Sequence, residues 1–168
     1  MKLFVTVGTT RFDELIREVC KENVLRAFVD YGYSDITIQI GTGEFEPPAT
    51  HNVSGLNLNF FRKKASIRED MEQADLIVSH AGAGSLFESL RMKKKVITVA
   101  NESLMGNHQT ELANALDHDG NVVSATISNF ENTILDKVLF HKRLSALKPL
   151  QPSNAEAFAR VVDEEMGL

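Results

Sequence analysis

Short apolar runs alternate with amphipathic stretches along this chain, and the apolar runs end repeatedly on glycine or small polar residues. Leu3-Phe4-Val5-Thr6-Val7 closed by Gly8 predicts a buried strand running into a tight turn. Thr10-Arg11-Phe12-Asp13 has the capping-box pattern, and Phe12, Leu15, Ile16 and Val19 follow at helical spacing. That helix either breaks near Asn23 or runs on to about Tyr31. A second strand is expected from Ser34 to Ile40, ending at Gly41-Thr42-Gly43, then a loop with Pro47-Pro48, then a short strand from Leu56 to Phe61.

Ser66-Ile67-Arg68-Glu69 is another capping box, opening a helix to about Ala74. Leu76-Ile77-Val78 and Val96-Ile97-Thr98-Val99 predict the fourth and fifth strands. Between them a helix should run from Ser85 to about Met92, with Lys93-Lys94-Lys95 set against its negative C-terminal end. A helix from about Asn107 to His118 should bury Leu112, Ala115 and Leu116 and stop at Gly120. Asn121 to Ala125 reads as a sixth strand and Asn129 to about Phe140 as a helix. A last helix, Ala155 to Met166, would carry Ala155, Phe158, Ala159, Val162 and Met166 on one face. Alternating strands and helices with short loops imply an α/β fold. The expected architecture is one Rossmann-like domain over residues 1–168, a mostly parallel sheet with helices on both faces.

Composition narrows the class without changing that picture. Of 168 residues, 43% are hydrophobic and 24% charged, as in an ordinary globular domain. A net charge of -5 argues against a general nucleic-acid binder. The single cysteine, Cys20, excludes an internal disulfide and a cysteine metal cluster, and reads as a small core or partly exposed thiol. No apolar run approaches the ~18–20 residues of a membrane span, and Met1-Lys2 leads directly into a strand too short for a signal-peptide core. The expectation is a cytosolic protein whose membrane contact is peripheral or made through a partner.

The chemistry concentrates where strands hand over to helices. In Ser79-His80-Ala81-Gly82-Ala83-Gly84-Ser85-Leu86-Phe87-Glu88, bare glycine backbone precedes a helix start, where unpaired amides and a partial positive charge favour anions. Ser85 and Glu88 lie i, i+3 on one helix face. Glu88 suits the two hydroxyls of a ribose, but it also fits a capping box with Ser85. His80 is open to three readings: general base, phosphate donor, or a core histidine bonded to backbone. Gly8-Thr9-Thr10 offers a second turn whose amides could cradle phosphate, or a plain turn and helix cap. Asn107-His108-Gln109 places polar side chains at another helix start, aimed at the same edge unless Asn107 is only a cap. His51, His118 and His141 lack metal-ligand spacing, so no metal or cofactor is expected. The second strand ends Gln39-Ile40-Gly41, without the acid that a nicotinamide domain places there for the adenosine ribose.

In combination these segments resemble a known family. Phe4 to Thr10 with Phe12-Asp13, Ser79 to Ser85 with Glu88, and Asn107-His108-Gln109 with Glu111-Leu112-Ala113 are similar to the cytosolic subunits of the UDP-N-acetylglucosamine transferase of asparagine-linked glycosylation, the family of that pathway's thirteenth protein. The resemblance implies the donor-binding, C-terminal half of a GT-B glycosyltransferase. It implies a membrane-anchored partner, the pathway's fourteenth protein, that supplies the acceptor half at the cytosolic face of the endoplasmic reticulum. The implied reaction moves N-acetylglucosamine from UDP-GlcNAc to dolichyl-diphospho-GlcNAc without a bound metal. Carried over, Gly8, Thr9 and Thr10 would face the diphosphate, and Gly82, Ala83, Gly84 and Ser85 would form the second phosphate-side loop. Glu88 would hold the uridine ribose, His108 and Gln109 would contact the sugar, and the general base would come from the partner. Two alternatives stay open: a split bacterial exopolysaccharide glycosyltransferase subunit, and a nucleotide-sugar-binding module without activity.

Overall fold

A computed structural model describes residues 1–102, 108–151 and 160 of the chain. Among the described residues, six strands form one sheet: β1 (Lys2–Thr6), β2 (Asp35–Gln39), β3 (Asn57–Phe61), β4 (Leu76–His80), β5 (Lys95–Val99) and β6 (Val123–Ala125). The strands lie in the order β3-β2-β1-β4-β5-β6, and every pairing is parallel. The helices between and after them are α1 (Asp13–Val19), α2 (Glu22–Asp30), α3 (Arg68–Gln73), α4 (Ala83–Arg91), α5 (His108–His118), α6 (Ile127–Leu135) and α7 (Lys137–Ser145).

The side-chain alternation of a strand builds two cores from one sheet. Leu3, Val5, Ile36, Ile38, Val78 and Val99 point to one face and pack on Leu15 and Ile16 of α1, Phe28 of α2, Phe130 of α6 and Phe140 of α7. Phe4, Ile77 and Val96 point to the other and pack on Met71 of α3, Leu86 and Leu90 of α4, and Leu116 of α5. The expected helices on both faces are therefore present.

Several local expectations are corrected by particular contacts. The first helix does not carry the expected capping box: the Thr10 hydroxyl donates to the Val7 carbonyl at 2.9 Å, and buried Asp13 accepts from the amides of Glu44 and Phe45. Of the two courses open to the first helix the chain takes the break, at Cys20 and Lys21, two residues ahead of Asn23. The expected helix from Asn129 is two helices, because Asp136 ends α6 and caps α7 by accepting from the Leu139 amide. Lys94 does not serve the end of α4; its ammonium donates to the carbonyls of Glu72 and Ala74 at the end of α3. In α5, Ala113 is buried in place of the expected Ala115, which is exposed. The expected last helix, Ala155 to Met166, lies outside the described residues apart from Arg160.

Candidate functional site

The strand order sets the position of the site. From β1 the chain moves outward to β2 and β3, then returns to β4 beside β1 and moves outward the other way. The helices that follow these two neighbours pack on opposite faces, α1 on the first core and α4 on the second. A crevice opens between their connecting turns, at the topological switch point where open α/β sheets bind ligands. It is an open cleft of about 700 Å³, lined by the two glycine turns, Gln39, the 64–67 loop, His80, Glu88 and Gln109.

At the second glycine turn, α4 begins at Ala83 with Gly82 as its N-cap, two residues earlier than the sequence pattern implies. Gly82 offers no side chain to the first-turn amides, and the earliest helical bond runs from the Leu86 amide to the Gly82 carbonyl at 3.1 Å. The Ala83, Gly84 and Ser85 amides thus sit at the positive end of the helix without intrahelical partners. The early start also removes the capping box: Ser85 is inside the first turn, so Glu88 is not bonded back to a cap. The half-buried Glu88 carboxylate makes no hydrogen bond or ion pair with another described residue. A Cβ on Gly84 would meet nothing within 4 Å, so the backbone there is open to a ligand.

His80 closes β4 beneath both turns. Its ring is wedged between Gly8 and Gly82: a Cβ on Gly82 would strike Nε2, and one on Gly8 would approach Cε1 to 2.9 Å. Burial holds the imidazole below the ordinary histidine value, opposed in part by the Thr6 carbonyl. Its buried Nδ1 has no hydrogen bond of good geometry. The ring is therefore neutral near pH 7 and props the floor of the cleft.

The first turn is anchored differently. Gly8 adopts φ +63 and its amide donates to the Thr6 hydroxyl at 3.0 Å, while the Thr10 carbonyl accepts from the Thr42 amide at 3.1 Å. Behind it, burial acts to raise the Asp13 carboxyl, but the Phe45 and Glu44 amides and the Arg11 and Arg17 guanidiniums outweigh it and hold the group below its ordinary value. Arg11 is engaged with Asp13 at 2.9 Å and Glu44 at 3.0 Å.

Of the residues singled out in the sequence, Gly8, Thr9, Thr10, His80, Gly82, Ala83, Gly84, Ser85, Glu88 and Gln109 meet in this one cleft. His108 is exposed and does not line it, because successive helical residues point about 100° apart. Asn107 lies outside the described residues. Gln39, Lys64 and Ser66 were not anticipated as cleft residues. The signal for Gln39 was its place at the end of an apolar strand; Lys64 and Ser66 follow β3, whose edge position only the topology reveals. Lys64 pairs with Asp70 at 2.8 Å and lies 4.0 Å from the Phe61 ring centroid. A hollow of about 750 Å³ lies elsewhere, against α2 and the α6–α7 junction. Its Lys21 and Arg26 are already paired with Glu131 and Glu22, and no strand end opens into it.

Residues 2–166 match the glycosyltransferase family 28 C-terminal domain. The chain belongs to that family. Family 28 membership agrees with relatives named UDP-N-acetylglucosamine transferase subunit ALG13. The Mus musculus protein is 43% identical over 125 residues, 74% of this chain and 11% of that protein. The Saccharomyces cerevisiae protein is 29% identical over 195 residues, 96% of this chain and 94% of that protein. The family 28 chain thus spans about a tenth of the mammalian relatives it matches, but nearly all of the yeast one. An NMR solution structure of ALG13 superposes with a TM-score of 0.68 at 26% identity, covering 96% of this chain and 94% of that one. A crystal structure of Acinetobacter baumannii MurG gives a TM-score of 0.65 at 16% identity, covering 97% of this chain but 49% of that one. The fold is that of a GT-B C-terminal domain.

Proposed function

We propose that this chain is the donor-binding subunit of an N-acetylglucosaminyltransferase that takes UDP-GlcNAc. The observation that carries the reading is the start of α4, where three unpartnered amides and an unpaired Glu88 occupy one cleft wall. Five residues of helical rise separate Ala83 from Glu88, roughly 7.5 Å, a span that a nucleoside diphosphate can bridge. The diphosphate lies on the Ala83–Ser85 amides and Glu88 accepts hydrogen bonds from the ribose diol. Gln109, whose buried Oε1 has no partner, faces the sugar end. The UDP-GlcNAc assignment rests on the names of the similar proteins and on this geometry together.

The acceptor half is supplied by another polypeptide. The relatives are named as a transferase subunit, and the fold superposes on 49% of the MurG chain. Among the described residues no helix is long and apolar enough to cross a membrane. The reading is therefore a peripheral subunit held at the cytosolic face of the endoplasmic reticulum by a membrane-anchored partner, with dolichyl-diphospho-GlcNAc as acceptor. The general base belongs to that partner, because His80 is locked under the glycine turns and Glu88 is engaged with ribose. The test is GlcNAc transfer to a lipid-linked diphospho-GlcNAc by the chain alone and with its membrane partner, using UDP-GlcNAc and UDP-galactose. Transfer from UDP-GlcNAc only in the reconstituted pair is expected; robust transfer by the isolated chain, or preference for UDP-galactose, would contradict the reading.

A further inference from the structure

Gln39 is 3% exposed, lines the cleft, and is the register partner of Thr6 on the neighbouring strand, so the two side chains share one face of the sheet. A short relay fixes its orientation. The Gly8 amide donates to Thr6 Oγ1 at 3.0 Å, and Thr6 Oγ1 lies 2.6 Å from the Gln39 carboxamide, assigned as Oε1. That length belongs to an O–H···O bond rather than to N–H···O. The Thr6 hydroxyl accepts from Gly8 and donates to Oε1, which settles the amide orientation chemically. The Gln39 nitrogen is turned away from Thr6, and no described residue accepts from it. That nitrogen is not one of the fully buried polar atoms left without a partner, so it opens into the cleft, where a ligand oxygen can accept from it in place of water.

We propose that Gln39 is a direct ligand of the donor nucleotide, its carboxamide nitrogen donating to an acceptor oxygen of the nucleoside diphosphate. This rests on the donor-site reading above and adds to it a contact from β2, on the side of the cleft away from α4. The relay makes Thr6 the positioning residue and couples the Gly8 turn to the ligand. Gln39 thus takes the strand-end position where a dinucleotide fold places a ribose-binding acid, and supplies a neutral donor in its stead. A carboxylate there would face a diphosphate.

The experiment is titration calorimetry with UDP on the full chain and on Gln39→Met, Gln39→Glu, Thr6→Val and Thr6→Ser, with thermal melts of each. Gln39→Met, similar in volume but without the donor, should weaken UDP about tenfold. Gln39→Glu should weaken it further at about pH 8 and recover part of the loss at about pH 5, where the carboxyl protonates and donates again. Thr6→Val should show a smaller loss because the amide is freed rather than removed, and Thr6→Ser should bind as the parent does. Should Gln39→Glu fail to fold, Gln39→Met decides the matter. Affinity of Gln39→Met within twofold of the parent, or a Gln39→Glu affinity without recovery at low pH, would overturn the proposal. A parent chain that does not bind UDP would overturn the donor-site reading and this contact with it.

Discussion

The turns after β1 and β4 look alike in sequence, Gly8-Thr9-Thr10 and Gly82-Ala83-Gly84-Ser85, and both border the cleft. They differ in what their backbones have left to offer. After Gly8 the chain runs through four more residues before α1 begins at Asp13, and the Gly8 amide is bonded to Thr6. After Gly82 the helix begins at once, leaving Ala83, Gly84 and Ser85 with free amides at its positive end. Glycine content is therefore a poor guide to which turn keeps its amides free; the distance from glycine to helix start is a better one. On the proposed reading the first turn is a wall and the second the anion seat.

The largest effect should come from adding a methyl group at each turn. Gly82→Ala drives a Cβ into the trapped His80 ring. It should cost about 1–3 kcal/mol of stability by overpacking and weaken UDP binding more than about tenfold. Gly8→Ala meets the same ring and must also hold φ +63, so it should destabilise comparably by thermal melt while weakening UDP less. Equal losses of affinity from the two would break the contrast between wall and seat.

Glu88→Gln should come next. Because Glu88 is not part of a cap, melting should move by less than about 1 kcal/mol, whereas UDP affinity should fall by about 1.5–3 kcal/mol with the charge-assisted bonds to ribose. Calorimetry beside melts separates the two quantities. Gly84→Ala sharpens the same point at smaller scale. Its Cβ meets nothing within 4 Å and replaces a helical glycine, so stability should rise by up to about 1 kcal/mol while UDP binding weakens as the methyl narrows the anion's approach. A gain in both would place the anion elsewhere.

The smallest effect is on pH dependence. Burial lowers the pKa of His80 in the fold, so the unfolded chain takes up its proton first as pH falls. The stability linked to the neutral ring is present above about pH 6.5 and is lost as pH falls from there through the lower folded value. Denaturant unfolding of the parent should weaken over that window more steeply than His80→Asn.

Much of the fold was legible because the buried strands are short β-branched runs with clear punctuation, as at Leu76-Ile77-Val78 and Val96 to Val99. Capping patterns were the unreliable part. Thr10 to Asp13 and Ser85 to Glu88 both match the motif, yet Asp13 is claimed by the amides of Glu44 and Phe45, and Ser85 is overtaken by an earlier start at Gly82. Competing backbone partners decide such cases, and those come from distant segments. The same holds for Lys94, drawn to the carbonyls that end α3. In the site, the residues on β1, β4 and α4 could be read from the chain because their turns are local. Gln39 carried only the weak signal of ending an apolar strand, and Lys64 carried none, because sheet order brings β2 and β3 to the same edge.

The central claim is that donor diphosphate sits on the α4 amides. Titrating the labelled chain with UDP while following backbone amide resonances tests it most directly. The account predicts saturable shifts largest at Ala83, Gly84 and Ser85, weaker ones at Thr9 and Thr10, and their loss in Gly82→Ala. Shifts centred instead on the hollow beside Lys21, Arg26 and Tyr31, with the α4 amides unmoved, would contradict it.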